Sequence, residues 1–191
     1  MDNGDKNVEL RMQNAELEEY SKILKIVSYL LEYPNAEWWN NFSDYREAIE
    51  EIETQQTKTI LIELFDYIKN LGAEDYETQY VRSFDFSQNT NLYLTMHDRT
   101  DFGKQAQEMH EYKKLFLENG FDLNNELPDY LPAILELAAN VPKDQAEKIL
   151  SQTRGKIELL RDRFIEAKLA QAFLLDVIIS VTEELKRNNQ K

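Results

Sequence analysis

Residues 17–34 read LEEYSKILKIVSYLLEYP, and their spacing decides the fold class. Leu17, Tyr20, Ile23, Leu24, Val27, Leu30 and Leu31 recur at steps of three and four, the interval that stacks side chains on one face of an α-helix. Pro34 closes the helix, because proline pushes the residue before it out of the helical region. The same period returns over 57–71, where Ile60, Leu61, Leu64, Phe65 and Ile68 face inward and Gly72 stops the run. It returns again over 103–119, with Met109, Tyr112, Leu115 and Phe116 on one side and Gly120 as the stop. The 191 residues contain only 5 glycines and 4 prolines, whereas a sandwich or barrel needs many more turn formers. The expectation is an all-α protein.

Between these helices the reading is more local. Trp38 and Trp39 fall in a loop or short turn, one packing inward and the other covering surface. Residues 44–53 form a short acidic helix with Ser43 as its N-cap. Residues 74–82 carry Tyr76 and Tyr80 at helical spacing. The stretch 84–96 is rich in aromatics and turn formers, and Leu92-Tyr93-Leu94 suits either a helical turn or a short strand. Asp129 is placed to cap a helix whose first turn accepts Pro132. Pro142 starts another, and its periodic pattern runs to about residue 187. A single helix of that length is out of proportion to a compact domain, so a break belongs near 166–170. With no repeat and no composition shift, the chain reads as one helical bundle over 16–187. Flexible ends of 1–15 and 188–191 flank it.

Composition excludes several classes of function. The chain has no cysteine, which removes disulfides, thiolate metal sites and a cysteine nucleophile. Met1 to Glu19 shows no basic start followed by an apolar run, so no secretory signal is expected. No stretch reaches the eighteen or so apolar residues of a membrane span, and direct membrane insertion is not expected. The net charge of −14 disfavours nucleic acid, which requires a basic stripe, and anionic lipid. It favours a basic partner, because a negative field speeds encounter with a cation. Acidity that only maintains solubility is the simpler explanation of the charge alone.

No catalytic signature is present: no phosphate loop, no dinucleotide fingerprint, no nucleophile elbow and no zinc-protease helix. No catalytic residue, cofactor or metal is assigned. His97 with Asp98 and Asp101 has the residue types for a metal or a base–carboxylate pair, but a hydrogen-bonded structural histidine is simpler. Glu126 and Asp129 flank Pro128 at a helix entrance, where acidic groups stabilise free amides. Together with His97 they make a small acid–base hydrolase the alternative from another class. Phe84, Phe86, Tyr93 and Tyr130, interleaved with carboxylates, suit a groove for an amphipathic helix bearing basic residues. Core filling is the simpler reading, above all for Phe84. In such a groove a buried anchor contributes roughly 1.5–3 kcal/mol, against about 0–1 kcal/mol for a surface charge pair. Affinity would come from apolar contact and orientation from charge.

Three blocks stand in order: Tyr80-Val81-Arg82-Ser83-Phe84-Asp85-Phe86, Leu92-Tyr93-Leu94-Thr95-Met96-His97, and Glu126-Leu127-Pro128-Asp129-Tyr130-Leu131-Pro132. With Leu30-Leu31-Glu32-Tyr33-Pro34 before them and Leu174-Leu175-Asp176 after, they resemble the NarJ family, the delta-subunit chaperones that assemble membrane-bound nitrate reductase. The wider TorD-like chaperones share the Glu126, Pro128, Asp129 pattern, which keeps another molybdoenzyme open as the client. One departure is clear. Phe102 stands before Gly103 where the family has arginine, so no role of that arginine carries over.

The resemblance implies a bundle of the TorD/NarJ type and a cytoplasmic chaperone that is not an enzyme. It implies a partner, the nitrate reductase catalytic (alpha) subunit, bound through its N-terminal basic amphipathic segment and held open for molybdenum cofactor insertion. Tyr93, His97, Glu126, Asp129 and Tyr130 are the peptide-binding residues it suggests. Pro128 and Pro132 shape the loop.

Overall fold

A computed structural model describes residues 19–97, 102–123 and 126–188. The expectations for residues 1–15 and 189–191, and for Leu17, Asp98 and Asp101, lie outside these. The elements are α1 (19–31), α2 (Ala36–Glu50), α3 (Gln55–Leu71), α4 (Ala73–Tyr80), α5 (Phe102–Glu118), α6 (Leu131–Ala139), α7 (Lys143–Glu166) and α8 (Ala172–Asn188). Among the described residues the one extended pairing is an isolated antiparallel bridge between Tyr93 and Tyr130. The all-α bundle is what the spacing and the scarcity of turn residues dictate.

Helix α1 is the spine. Besides the expected apolar stripe it buries Ile26, Ser28 and Tyr29, so its second half is enclosed on every side. It runs antiparallel to α6, and three polar side chains mark the register. The Tyr20 hydroxyl donates to Val141 O (2.9 Å), the Ser21 hydroxyl to Ala139 O (2.6 Å) and the Ser28 hydroxyl to Pro132 O (2.8 Å). Each satisfies a polar group that would otherwise be costly to bury.

Trp38 and Trp39 are not in a loop. Asn35 caps α2 by accepting the Trp38 amide at 2.9 Å, eight residues before the expected Ser43 cap, and both tryptophans ride on the first turns. Trp38 is buried and Trp39 half-buried. Tyr29 is sandwiched between Trp38 and Tyr45 at centroid distances of 4.7 and 3.7 Å. The Trp38 indole N–H donates back to Tyr29 O at 2.7 Å. That aromatic sandwich extends the helix through residues whose own propensities do not demand it.

Helices α7 and α8 form the other wall, an antiparallel hairpin packed along its length. Arg161 pairs with Asp176, and Arg154 with Glu183 at 2.7 Å, so the ion pairs repeat the register. The expected break is present over 167–171. Its hinge is Lys168, whose φ of 56° takes the left-handed conformation usually left to glycine.

Candidate functional site

The site begins where α4 loses its regular pitch. From Val81 to Asp85 the chain widens into a π-turn, closed by the Phe86 amide on Val81 O at 3.1 Å. One extra residue per turn rotates everything that follows. Phe84 is thereby driven into the core, against Tyr80 and Phe164, while Phe86 is turned out and stands 82% exposed. The chain then folds back on its own side chains. Ser87 Oγ accepts the Thr90 amide at 3.2 Å, and the Thr90 hydroxyl bonds Ser83 O. Asn91, itself buried, donates to Gln88 O (3.1 Å) and accepts the Tyr93 amide (3.1 Å).

Leu92 to Leu94 next pair with the segment leading into α6. The Leu94 amide donates to Asp129 O (3.0 Å) and the Leu131 amide to Leu92 O (2.9 Å), the two bonds of a minimal antiparallel bridge. The rings of Tyr93 and Tyr130 lie 5.2 Å apart on it. A turn of 3₁₀ helix, Leu94–His97, follows. The residues that suited either helix or strand are therefore one pairing long before they coil.

Asp129 does not cap α6. The N-cap position belongs to Tyr130, which makes no side-chain cap bond. The Asp129 carboxylate, fully buried, turns instead toward the 3₁₀ turn, where Oδ2 accepts both the Thr95 amide (3.0 Å) and the Thr95 hydroxyl (2.7 Å). Two donors on one oxygen leave Oδ1 without a hydrogen-bond partner. The physical reason for the departure is the bridge, which brings Thr95 nearer than the amides of α6.

His97 is 2% exposed. Its Nε2 lies 2.8 Å from Asn91 O, and Arg163 on α7 bonds Nδ1 through one nitrogen and His97 O through the other at 3.0 Å. A carbonyl only accepts and a guanidinium only donates, which sets the ring with its proton on Nε2. The histidine ties the turn to α7.

Two clefts flank the tyrosine pair. One, of about 490 Å³, is lined by Phe84, Phe86, Tyr93, Met96, Met109 and Leu127, with Asp85, Gln105 and Asp129 among them. Met96, Leu127 and Phe86 are all exposed, an unusual concentration for an acidic surface. Phe102, also exposed, shares the α5 face of Gln105 and Met109 by its three- and seven-residue spacing and lengthens the apolar strip. The second cleft, of about 380 Å³, has Phe116, Phe121, Leu123, Ala133 and Leu137 as its apolar wall. Glu32, Asp122, Glu126 and Glu136 line it as well, with Tyr130 at its edge. Burial, reinforced by Glu136 and Glu126, pushes the Glu32 carboxyl up to about 7. The Tyr130 phenol is pushed up as well, chiefly by burial.

The five candidate residues are thus neighbours with unequal exposure. Tyr93 and Asp129 belong to the first cleft, Glu126 and Tyr130 to the second, and His97 lines neither. Neither of these two clefts gathers Glu126, Asp129 and His97 together, and both ring nitrogens of His97 are engaged. Sequence reasoning missed Glu32, Met96, Leu127 and Arg163. Arg163 lies far along the chain from the aromatic blocks, and no local pattern signals it, while Glu32, Met96 and Leu127 stand inside blocks quoted above without a role of their own. Among the described residues no helix is long and apolar enough to cross a membrane.

Residues 45–171 match the family model described as nitrate reductase delta subunit. A probable nitrate reductase molybdenum cofactor assembly chaperone, NarJ of Bacillus subtilis (strain 168), is 29% identical over 83% of this chain and 87% of its own. The corresponding NarJ chaperone of Escherichia coli (strain K12) is 30% identical over 83% of this chain and 68% of its own. The probable chaperone NarW of the same strain is 26% identical over 84% and 68%. These three relatives are named for assembly and not for a reaction. With the family model spanning residues 45–171 and these identities extending over most of its length, the chain belongs to the nitrate reductase delta subunit family.

Proposed function

We propose that this chain is a cytoplasmic assembly chaperone of respiratory nitrate reductase. It binds the N-terminal segment of the catalytic (alpha) subunit and keeps the apoenzyme competent for molybdenum cofactor insertion before membrane docking. The carrying observation is the surface around the Tyr93–Tyr130 bridge, an apolar cleft on one side and a carboxylate-lined cleft on the other. An amphipathic helix with basic residues has matching chemistry, its apolar side chains seated against Phe86, Met96 and Leu127 and its cations facing Glu126, Glu136 and Glu32. The net charge of −14 adds long-range attraction to such a partner. The relatives are named for nitrate reductase assembly, which supports that enzyme as the client.

Within this reading Tyr93, Glu126, Asp129 and Tyr130 form the binding face, and His97 holds it in place. Calorimetric titration with a synthetic peptide of the catalytic subunit's N-terminus tests the proposal, with a charge-matched scrambled peptide beside it. Dissociation constants at or below the micromolar range for the native order alone are expected. Equal binding of both peptides would reduce the case to charge.

A further inference from the structure

The geometry points to Asp129 as the seat for one primary ammonium group, carried on a lysine side chain of the segment that fills the Phe86–Met96–Leu127 cleft. This deepens the chaperone reading and rests on it only for the identity of the client. Asp129 is fully buried, yet Thr95 supplies both of its donors to Oδ2, and Oδ1 has none. A buried carboxylate oxygen with no donor is costly, and native proteins leave few. Here it belongs to a residue lining an open cleft.

The surroundings select the donor. The walls are methionine, leucine and aromatic side chains, which pack well against an unbranched methylene stem. A guanidinium carries five donors in a rigid plane and needs several acceptors together, whereas among the described lining residues Asp129 Oδ1 is the one buried side-chain oxygen that lacks a donor. An ammonium is compact, and the Asp85 carboxylate lines the same cleft. The approach is lightly closed. Gln105 bonds Thr95 Oγ1 at 3.4 Å, near the limit for a hydrogen bond, and Met96 Sδ at 3.3 Å, a weak acceptor. Both side chains are flexible and can shift for an incoming stem.

Two titrations test the assignment. In the first, isotope-labelled protein receives n-hexylammonium chloride or, separately, n-hexanol, while the Thr95 and Asp129 amide resonances are followed. Hexylammonium is expected to shift both severalfold more than hexanol, and Asp129→Asn to abolish the excess. Asparagine keeps an oxygen for Thr95 and turns an N–H donor toward the cleft. Equal responses, or none, mean that Oδ1 meets only water and overturn the assignment.

In the second, the N-terminal peptide of the catalytic subunit is titrated against the native protein and Asp129→Asn, with each lysine replaced in turn by norleucine. One replacement is expected to weaken binding to the native protein roughly 10- to 100-fold, the range for a hydrogen bond to a charged group, and to leave the variant unchanged. Acetylating the peptide's own amino terminus is expected to change neither. An equal lysine cost in both proteins, or a cost that follows the acetyl group, refutes the lysine seat. A peptide that fails to bind at all sinks the client reading alone, and the hexylammonium result then decides the seat.

Discussion

Thr95 gives both its backbone N–H and its hydroxyl to one oxygen of Asp129, 34 residues away in the chain. The pair welds the 3₁₀ turn to the entrance of α6, and with it the two aromatic blocks of the sequence. Thr95→Val keeps the shape and the amide bond and loses one charged hydrogen bond, an expected cost of about 1–2 kcal/mol in urea unfolding. Asp129→Ala strands the buried amide as well and is expected to cost about 3 kcal/mol.

Arg163 is a positioning residue. Its fork holds the ring and the carbonyl of His97 together, from a helix 66 residues on. Arg163→Lys keeps the charge but not the two-pronged geometry, so it is expected to rescue little of the loss caused by Arg163→Gln. Ring resonances of His97 provide the check. In both variants its Nε2 proton should exchange faster, and client affinity should fall although neither side chain lines either of the two clefts.

The two tyrosines separate under truncation. Tyr93 is half-buried beside the apolar cleft, while the Tyr130 hydroxyl lies inward against that of Tyr80. Tyr93→Ala is expected to weaken the client peptide with a modest stability loss, and Tyr130→Ala to cost about 2–4 kcal/mol of stability. Phe86→Ser, at a nearly free side chain, is expected to change stability by no more than about 0.5 kcal/mol. It should still lower client affinity. An affinity indifferent to both Phe86 and Tyr93 would move the peptide elsewhere.

Glu32 gives the fold a pH dependence of definite sign. Its carboxyl is pushed up to about 7 in the folded chain by burial and by Glu136 and Glu126. The folded state therefore holds a proton that the unfolded state has released between the ordinary carboxyl range and neutrality. The associated stability is complete below the unfolded value and disappears as pH rises through about 7. Unfolding free energy should drop by about 1–3 kcal/mol across that window. Glu32→Gln should flatten the profile and be the more stable form above pH 7. A native profile as flat as the variant's would refute the assignment.

Helices with apolar faces at regular spacing were legible in the chain: the period marks Leu61, Leu64, Phe65 and Ile68 of α3 and Tyr112 and Phe116 of α5, all buried, whereas α1 buries Ile26, Ser28 and Tyr29 besides its stripe. Three features were not, each for a reason of its own. The tryptophans sit in a helix because Tyr29 stacks on Trp38 from another element, a tertiary effect that no window contains. The break after α7 was expected from length, but its hinge at Lys168 was not, since a lysine in the left-handed region carries no compositional mark. Asp129 suited a cap and became a cross-link, since a carboxylate beside proline serves whichever donors the fold brings nearest. The candidate residues were chosen by type, and neither their division between two clefts nor the burial of His97 against Arg163 could be read before the bridge was in place.

That bridge has one more consequence. Because Leu92 and Leu131 are joined by a backbone bond, the chain between them leaves and returns at one point, carrying α5 as a closed excursion. Lengthening such an excursion adds only loop-closure entropy, about 0.6 kcal/mol for each doubling. Added length there costs the fold little while the clamp at its base stays fixed, but Met109, Phe116 and Leu127 lie within the excursion, so an insertion or deletion would reshape the clefts and leave the bundle standing.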